Sequence, residues 1–487
     1  LGSEAKRLVI LHTNDIHSSF ESMPKLATLI GRYRRHYPSN ELLVVDCGDH
    51  LDRVRIETEG TQGIANIEVM NATGYEVFVP GNNEGLTFPK ATIESVFREH
   101  AQFTVLGTNM YDLQTGLHPS WISDHCLIEK NGIKIGIIGV TASYKDFYEP
   151  LGWEIRDPME TVKEATEKLR PSVDFLLVIS HVGLQFDRLL AEEVIGIDYI
   201  VGGHTHHLFE EAELVGQTRI GAAGKLGAYL GVIEIEFDSK DSQSEGQALR
   251  IKSLTGRALP ASEEADDPQI VAIIEKNLQR SRKAMDRQVA RLLAPIHHHP
   301  LEESELGNLL ADGIRRWTNS EIGIVNSGQL LSGLSAGCPT EADMLAICPS
   351  PVNPCSIQLS GEYIMQALEE SLLTEFTQRI IRGFGFRGKQ LGVLCLSGID
   401  VIYEPAAPAY EKIKQITIGN QPIDRARLYK VGTIDMFTFG IGYLSLSHGQ
   451  DIHYYIPEFI RDILKHELSN PLSIRSAKYQ HWRTPEL

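Results

Sequence analysis

The sequence predicts a two-domain α/β protein: a larger layered domain of strands and helices, followed by a smaller mixed domain. Three observations predict it. At 487 residues the chain exceeds what one core usually organises, given roughly 150 residues per domain. Over about the first 260 residues, short Val- and Ile-rich runs each end in a polar cluster, with helical-period stretches between them. From residue 262 a long charged stretch takes over, and the segments beyond it alternate less regularly.

Residues 8–11 run into His12-Thr13-Asn14-Asp15-Ile16-His17, and residues 42–45 run into Asp46-Cys47-Gly48-Asp49. Residues 77–79 lead to Pro80-Gly81-Asn82-Asn83-Glu84, and residues 175–179 lead to Ser180-His181. Residues 197–201 lead to Gly202-Gly203-His204-Thr205-His206-His207. Short apolar runs bounded by glycine read as buried strands. Stretches 23–36, 63–73 and 158–169 have helical periodicity, so the site belongs where loops leave the strand ends. Ile270, Ile273, Ile274, Leu278, Met285 and Val289 keep helical spacing across 262–293 and predict one long helix joining the domains. Beyond it, helices are expected over 303–317 and 361–381, and strands over 392–396 and 430–433. The domains are therefore drawn as 6–260, a linker helix 261–295, and 296–487. No internal repeat is present.

Lys plus Arg total 46 against 64 Asp plus Glu, a formal charge of −18. Such a chain is a poor non-specific partner for nucleic acid polymers or anionic membranes. No apolar run approaches the roughly 18 residues a membrane span requires. The six cysteines (Cys47, Cys126, Cys338, Cys348, Cys355, Cys395) show no C-x-x-C spacing. Free thiols in a reducing, cytoplasmic setting are expected. The chain opens without Met, which is compatible with a signal peptide removed before Leu1.

The polar strand ends supply Asp15, His17, Asp49, Asn82, His181, His204 and His206. Carboxylate and amide oxygens mixed with imidazoles suit Mn, Zn or Fe(II). Seven ligands are too many for one tetrahedral ion but fit two if a carboxylate bridges, and Asp49 is the natural bridge. A lone Asp-x-His is ordinarily a turn, and Ser-His after a strand is ordinarily a capping or core histidine. The run of such clusters in this order, each ending a strand, is what carries the signal.

Asp15-x-His17, Gly48-Asp49, Gly81-Asn82-x-Glu84, Ser180-His181 and Gly202-Gly203-His204-x-His206 resemble the calcineurin-like metallophosphoesterase signature. The opening Leu11-His12-Thr13-Asn14-Asp15-Ile16-His17, with Gly107-Thr108-Asn109, narrows the resemblance to the 5′-nucleotidase family. Gly307-Asn308-Leu309, Asn326-Ser327-Gly328, Leu359-Ser360-Gly361 and Tyr429-Lys430-Val431 match that family's C-terminal domain. The resemblance implies a four-layered α/β sandwich metallophosphatase domain and a smaller α/β substrate domain that swings on the linker helix. It implies one ion held by Asp15, His17, Asp49 and His206, and another by Asp49, Asn82, His181 and His204. It further implies attack of activated water on the phosphorus of a nucleotide or related phosphoester, with Asp49, Asn82 and the residue at Asn83 catalytic.

The chain also departs from the family. The usual Gly-Asn-His-Glu has Asn83 at its His, and Leu86 stands where that His finds an Asp, so the dyad that assists the leaving group is gone. A pyrophosphate-type leaving group needs that help less than an alkoxide does. A nucleotide-sugar or dinucleotide pyrophosphatase is therefore the rival enzyme reading, and a non-catalytic nucleotide sensor is the rival from another class. The family's phosphate-binding arginines fall on Glu302 and Leu331, and one base-stacking aromatic on Ser350. Asn326 and Tyr443 remain as substrate contacts, with Arg382, Phe384, Phe386 and Arg387 as replacements offering guanidinium and ring faces. Gly383, Gly385 and Gly388 match G-x-G-x-x-G, but a helical pattern precedes them and a strand-like run follows, so a dinucleotide loop is rejected. His297-His298-His299 is read as a solvated loop, Cys47 as a small buried residue, and His50 as either supporting the site or exposed.

Overall fold

The computed structural model describes residues 6–238 and 249–485. Two compact units meet in the chain between Ser281 and Arg282. In the first, strand Lys6–Thr13 pairs in parallel with Leu42–Asp46 and antiparallel with Tyr229–Phe237. Val77–Phe78 and Thr104–Val105 extend the parallel side, and Ile251–Pro260 closes the other edge. A second six-stranded sheet has the spatial order Glu213–Val215, Thr218–Gly221, Tyr199–Gly202, Phe175–His181, Ile133–Thr141, Cys126–Lys130.

Alternate side chains of a strand point to opposite faces, which sorts these apolar runs into layers. Leu8, Ile10, Val45, Ile135, Leu177 and Val201 form the core between the sheets. Val9, Leu11 and Val44 face outward, in one cluster with residues of helices Met23–His36, Ile64–Thr73 and Lys90–His100. Ile138, Val178 and Ile200 face the other way, clustered with residues of Pro158–Leu169 and Leu184–Glu193. The order is helix, sheet, sheet, helix: the four-layered sandwich. Each fully buried aliphatic side chain contributes about 1.5–3 kcal/mol. Ile10→Asp, an unpaired charge at 0% exposure, would therefore disrupt the central layer.

The second unit holds a five-stranded sheet ordered Leu394–Ser397, Ile322–Asn326, Leu428–Ile434, Pro354–Ser360, Gln450–Tyr454. A smaller sheet runs through Ile399–Tyr403 and Ile413–Ile418, and helix Glu305–Trp317 packs into the shared core. No helix among the described residues is long and apolar enough to cross a membrane.

Three expected elements differ. The joining helix is Pro268–Met285, shorter than 261–295. It begins where the Asp267 carboxylate accepts from the amides of Gln269 and Ile270 and where Pro268 needs no partner for a missing N–H. Past Met285 the chain turns extended, and Gln288, Leu292 and Ile296 bridge to Thr340, Gly337 and Leu334, so pairing overrides the helical pattern. The helix expected over 361–381 stops at Glu370, because Leu372 and Leu373 tighten onto the carbonyls of Glu369 and Glu370. The strand expected over 392–396 begins at Leu394, as Gly392 turns at φ +76°.

Candidate metal centre

The strand ends bend sharply. Asp15, His17, Asp49, His204 and His206 all hold positive φ, at 52, 47, 50, 71 and 58°. A non-glycine residue in that region costs about 1–2 kcal/mol, so something must impose it. Backbone bonds do: Asp15 N–H donates to Gly48 O (2.9 Å), and His17 N–H donates to Asp49 O (2.8 Å). The buried Glu84 carboxylate accepts from the amides of Asp49 (3.1 Å), Gly81 (2.8 Å) and Leu51 (2.8 Å), clamping two loops together. Gly48 has φ +85°, and a Cβ there would lie 2.5 Å from Gly81 N, so no larger residue fits.

These bends bring all seven expected ligands into one cluster. Asp49 presents Oδ1 3.4 Å from His181 Nε2 and Oδ2 3.9 Å from His17 Nε2, one oxygen toward each side. His206 Nε2 lies 3.5 Å from Asp15 Oδ1 and 3.1 Å from His17 Nε2. His204 Nδ1 lies 2.8 Å from Asn82 Oδ1. Two groups of donor atoms are close enough to share an ion: Asp15, His17 and His206, and Asp15, Asp49 and His181. Asp15 stands in both.

The donors suit a cation. His181 Nδ1 donates to the Cys47 carbonyl (2.6 Å), which leaves Nε2 as the lone-pair nitrogen, buried and without any hydrogen-bond partner. His17 turns Nδ1 toward Asp52 Oδ2 (3.3 Å) and keeps Nε2 in the cluster. Burial, with His181 and His17 respectively as the next cause, lowers His204 and His206 to about 4, so both rings are neutral at pH 7, as ligation requires. Burial raises Asp15 to about 6. Burial would raise Asp49 too, but the neighbouring His181 holds it well below the usual carboxylate range. Burial opposes charge on His181, yet Asp49 pushes it well above 6.5; a bound cation would take that proton's place.

Several contributing residues carry no expected role. Asn14 Nδ2 donates to Asp15 Oδ2 (2.7 Å), Asp52 orients His17, and the Tyr144 hydroxyl meets His204 Nε2 (2.7 Å). Glu84 and Asn14 sit inside the quoted motifs, but Tyr144 follows its strand with no local pattern to mark it. His50 is buried with Nδ1 3.2 Å from Asp46 Oδ2, which decides against exposure. Burial pushes the Cys47 thiol to about 12, so it is inert.

Asn83 does not project freely from the loop. Its Nδ2 donates to Leu51 O (3.0 Å) and lies 3.1 Å from His17 Nδ1, while its N–H donates to Asp49 Oδ1 (2.8 Å). In the second unit, Tyr443 is fully enclosed and donates to Gly392 O (2.6 Å), so its ring is a packing element with no face left for a base. Asn326 is likewise enclosed, donating to Leu391 O (2.6 Å) and accepting from Gln329, and Phe386 is buried in the core. Phe384 is exposed at φ 54°, its ring 6.1 Å from Phe439, which in turn stacks toward Tyr454 at 6.5 Å. Arg382 is exposed and Arg387 half-buried in the same loop, with Arg387 N–H donating to Ser350 Oγ (3.1 Å).

A sheet-on-sheet sandwich whose strand ends converge on shared aspartates and histidines defines a metallophosphoesterase. Residues 8–208 match the calcineurin-like phosphoesterase family, and residues 287–444 match the 5′-nucleotidase C-terminal domain. The chain is 33% identical over 467 residues to an uncharacterized metallophosphoesterase, YunD, of Bacillus subtilis, covering 95% of this chain and 99% of that one. It is 24% identical to the 5′-nucleotidase of Bos taurus over 82% of this chain and 80% of that protein. The structure of the NAD nucleotidase of Haemophilus influenzae has the same fold, at a TM-score of 0.68 and 16% identity, over 99% of this chain and 100% of that one. The chain belongs to the 5′-nucleotidase family of calcineurin-like metallophosphoesterases, and it is a phosphoric ester hydrolase. That class of enzyme uses divalent metal.

Proposed function

We propose that this enzyme hydrolyses phosphoester bonds of nucleotides and related small molecules at a centre of two divalent ions. The observation that carries the reading is Asp49, whose two oxygens face His181 on one side and His17 on the other. Asp15, His17, Asp49 and His206 would hold one ion, and Asp49, Asn82, His181 and His204 the other. Such ions supply Lewis-acid activation of water and neutralise phosphoryl charge. The chain's own part is to keep the donors fixed. Glu84 and the Asn83 N–H lock Asp49, the Cys47 carbonyl sets the His181 tautomer, and Asp52 sets that of His17. Asn82 is the half-buried polar group beside His204 that would orient the phosphoryl oxygens. In the second unit, considered by itself, Phe384 with Arg382 and Arg387 offers an exposed ring and two guanidinium groups on one loop.

A second reading, preference for phosphoanhydride over monoester bonds, is favoured by Asn83. Its amide is tied to Leu51 O and carries no acid able to protonate an alkoxide. Both readings are tested by assaying AMP, ADP and UDP-glucose with Mn²⁺ or Zn²⁺ on wild type and Asp49→Asn. Turnover that disappears in the variant is expected; undiminished turnover removes the first reading. Faster cleavage of AMP than of ADP and UDP-glucose removes the second.

A further inference from the structure

Lys225 sits on a loop that is built into the metal centre. Asn14, the residue that donates to Asp15 Oδ2 (2.7 Å), also donates to Gly224 O (2.7 Å) and accepts from Ala223 N–H (2.7 Å). Leu226 N–H donates to Asp15 O (2.8 Å), and Gly224 N–H donates to His207 O (2.9 Å). The lysine is thus bracketed on both sides by bonds to the loops carrying Asp15 and His206. The turn is forced: Gly224, Leu226 and Gly227 have φ +74, +58 and +65°, and a Cβ on Gly227 would press Leu26 at 2.9 Å. A strained leucine in the left-handed region is retained only where surrounding bonds impose it.

The ammonium on this loop is exposed, and no carboxylate among the described residues engages it. An unpaired lysine beside a cation-binding cluster is electrostatically unfavourable until an anion arrives. Two divalent ions against the carboxylates of Asp15 and Asp49 leave about +2, which one phosphoryl dianion balances. Charge on a second phosphate needs another cation.

We propose that Lys225 is a substrate-binding residue that reads a second phosphate next to the scissile one, making diphosphate-type compounds the preferred substrate class. This rests on the two-ion phosphoesterase reading above. It is tested by titrating the metal-loaded enzyme calorimetrically with methylenediphosphonate and with methylphosphonate, which are not hydrolysed, for wild type, Lys225→Met and Lys225→Arg. Chelation by the probe is common to all three proteins and cancels in the ratios.

Lys225→Met should weaken methylenediphosphonate about 10- to 100-fold, the range of a charge-assisted contact, and methylphosphonate less than about 3-fold. Lys225→Arg should restore most of the loss, and metal content by mass spectrometry should match wild type throughout. Equal weakening of both probes, or no weakening of either, overturns the assignment. An enzyme that cleaves no phosphoester yet shows the diphosphonate effect would overturn the activity reading while leaving the lysine's role intact.

Discussion

The Tyr144 hydroxyl lies 2.7 Å from His204 Nε2, while the opposite ring nitrogen faces Asn82 Oδ1 at 2.8 Å. A ring that gives Nδ1 to a cation carries its hydrogen on Nε2, and Tyr144 is the acceptor that fixes this tautomer and the ring plane. Tyr144→Phe should weaken metal binding about 10-fold or more, the usual loss when such a partner is removed. Because Tyr144 is 40% exposed, melting temperature should hardly move. Metal titration of the apoprotein checks this, and unchanged metal affinity would falsify it.

Asn83 is bound into the wall of the site by Leu51 O and lies against His17 Nδ1. Asn83→Ala keeps the backbone N–H that holds Asp49 Oδ1 but frees the His17 ring. Looser metal binding is expected, with kcat at saturating metal within about 5-fold of wild type, an order-of-magnitude bound on losing one orienting contact. A collapse of kcat at saturating metal, with metal affinity intact, would instead make Asn83 a direct participant.

The clustering of Asp15, His17, Asp49, Asn82, His181, His204 and His206 was legible in the sequence because each ends or follows a strand written as a continuous buried apolar run, and because each loop carries a recognisable motif. Asp15 and His17 follow directly from the strand at Lys6–Thr13, and their bends are then held by the carbonyls of Gly48 and Asp49. The places of Tyr144 and of the loop carrying Lys225 were not legible, since each is set by tertiary bonds between distant segments, spanning 60 residues from Tyr144 to His204 and 210 from Asn14 to Gly224. The second unit read less well for the same reason. Tyr443 and Asn326 sit in motif-like surroundings, and only the packed core shows that both are consumed by structure. The overlong helix over 261–295 fails where bridges to Leu334, Gly337 and Thr340 outcompete local periodicity.

Tyr443→Phe separates packing from base stacking. The variant keeps the ring and loses the hydrogen bond to Gly392 O, leaving that carbonyl without its donor. Removing a buried neutral hydrogen bond costs about 1–2 kcal/mol, so a lower unfolding midpoint is expected. KM for any nucleotide should be unaltered. A raised KM without loss of stability would return Tyr443 to the substrate site.

Asp435 in the second unit is buried, with Oδ2 accepting from Asn353 N–H (3.0 Å) and Oδ1 without a partner. Burial raises its carboxyl from 3.8 to about 7, and the amides of Asn353 and Met436 only partly offset this. The sign follows from which state holds the proton. Below pH 4 both folded and unfolded chains are protonated and the group is neutral for stability. Between about pH 4 and 7 the unfolded chain releases the proton while the folded one retains it, so this residue progressively lowers stability as pH rises. The loss reaches at most about 4 kcal/mol, because each tenfold difference in proton affinity between the two states is worth about 1.4 kcal/mol. Asp435→Asn keeps an acceptor for Asn353 but cannot ionise. Relative to wild type it should gain stability steadily from pH 4 to pH 7 and level off above. Denaturant unfolding of both proteins across that range, followed by a probe in the second unit, measures the difference. A stability gap that stays constant with pH would mean that the Asp435 carboxyl titrates as an ordinary solvated group.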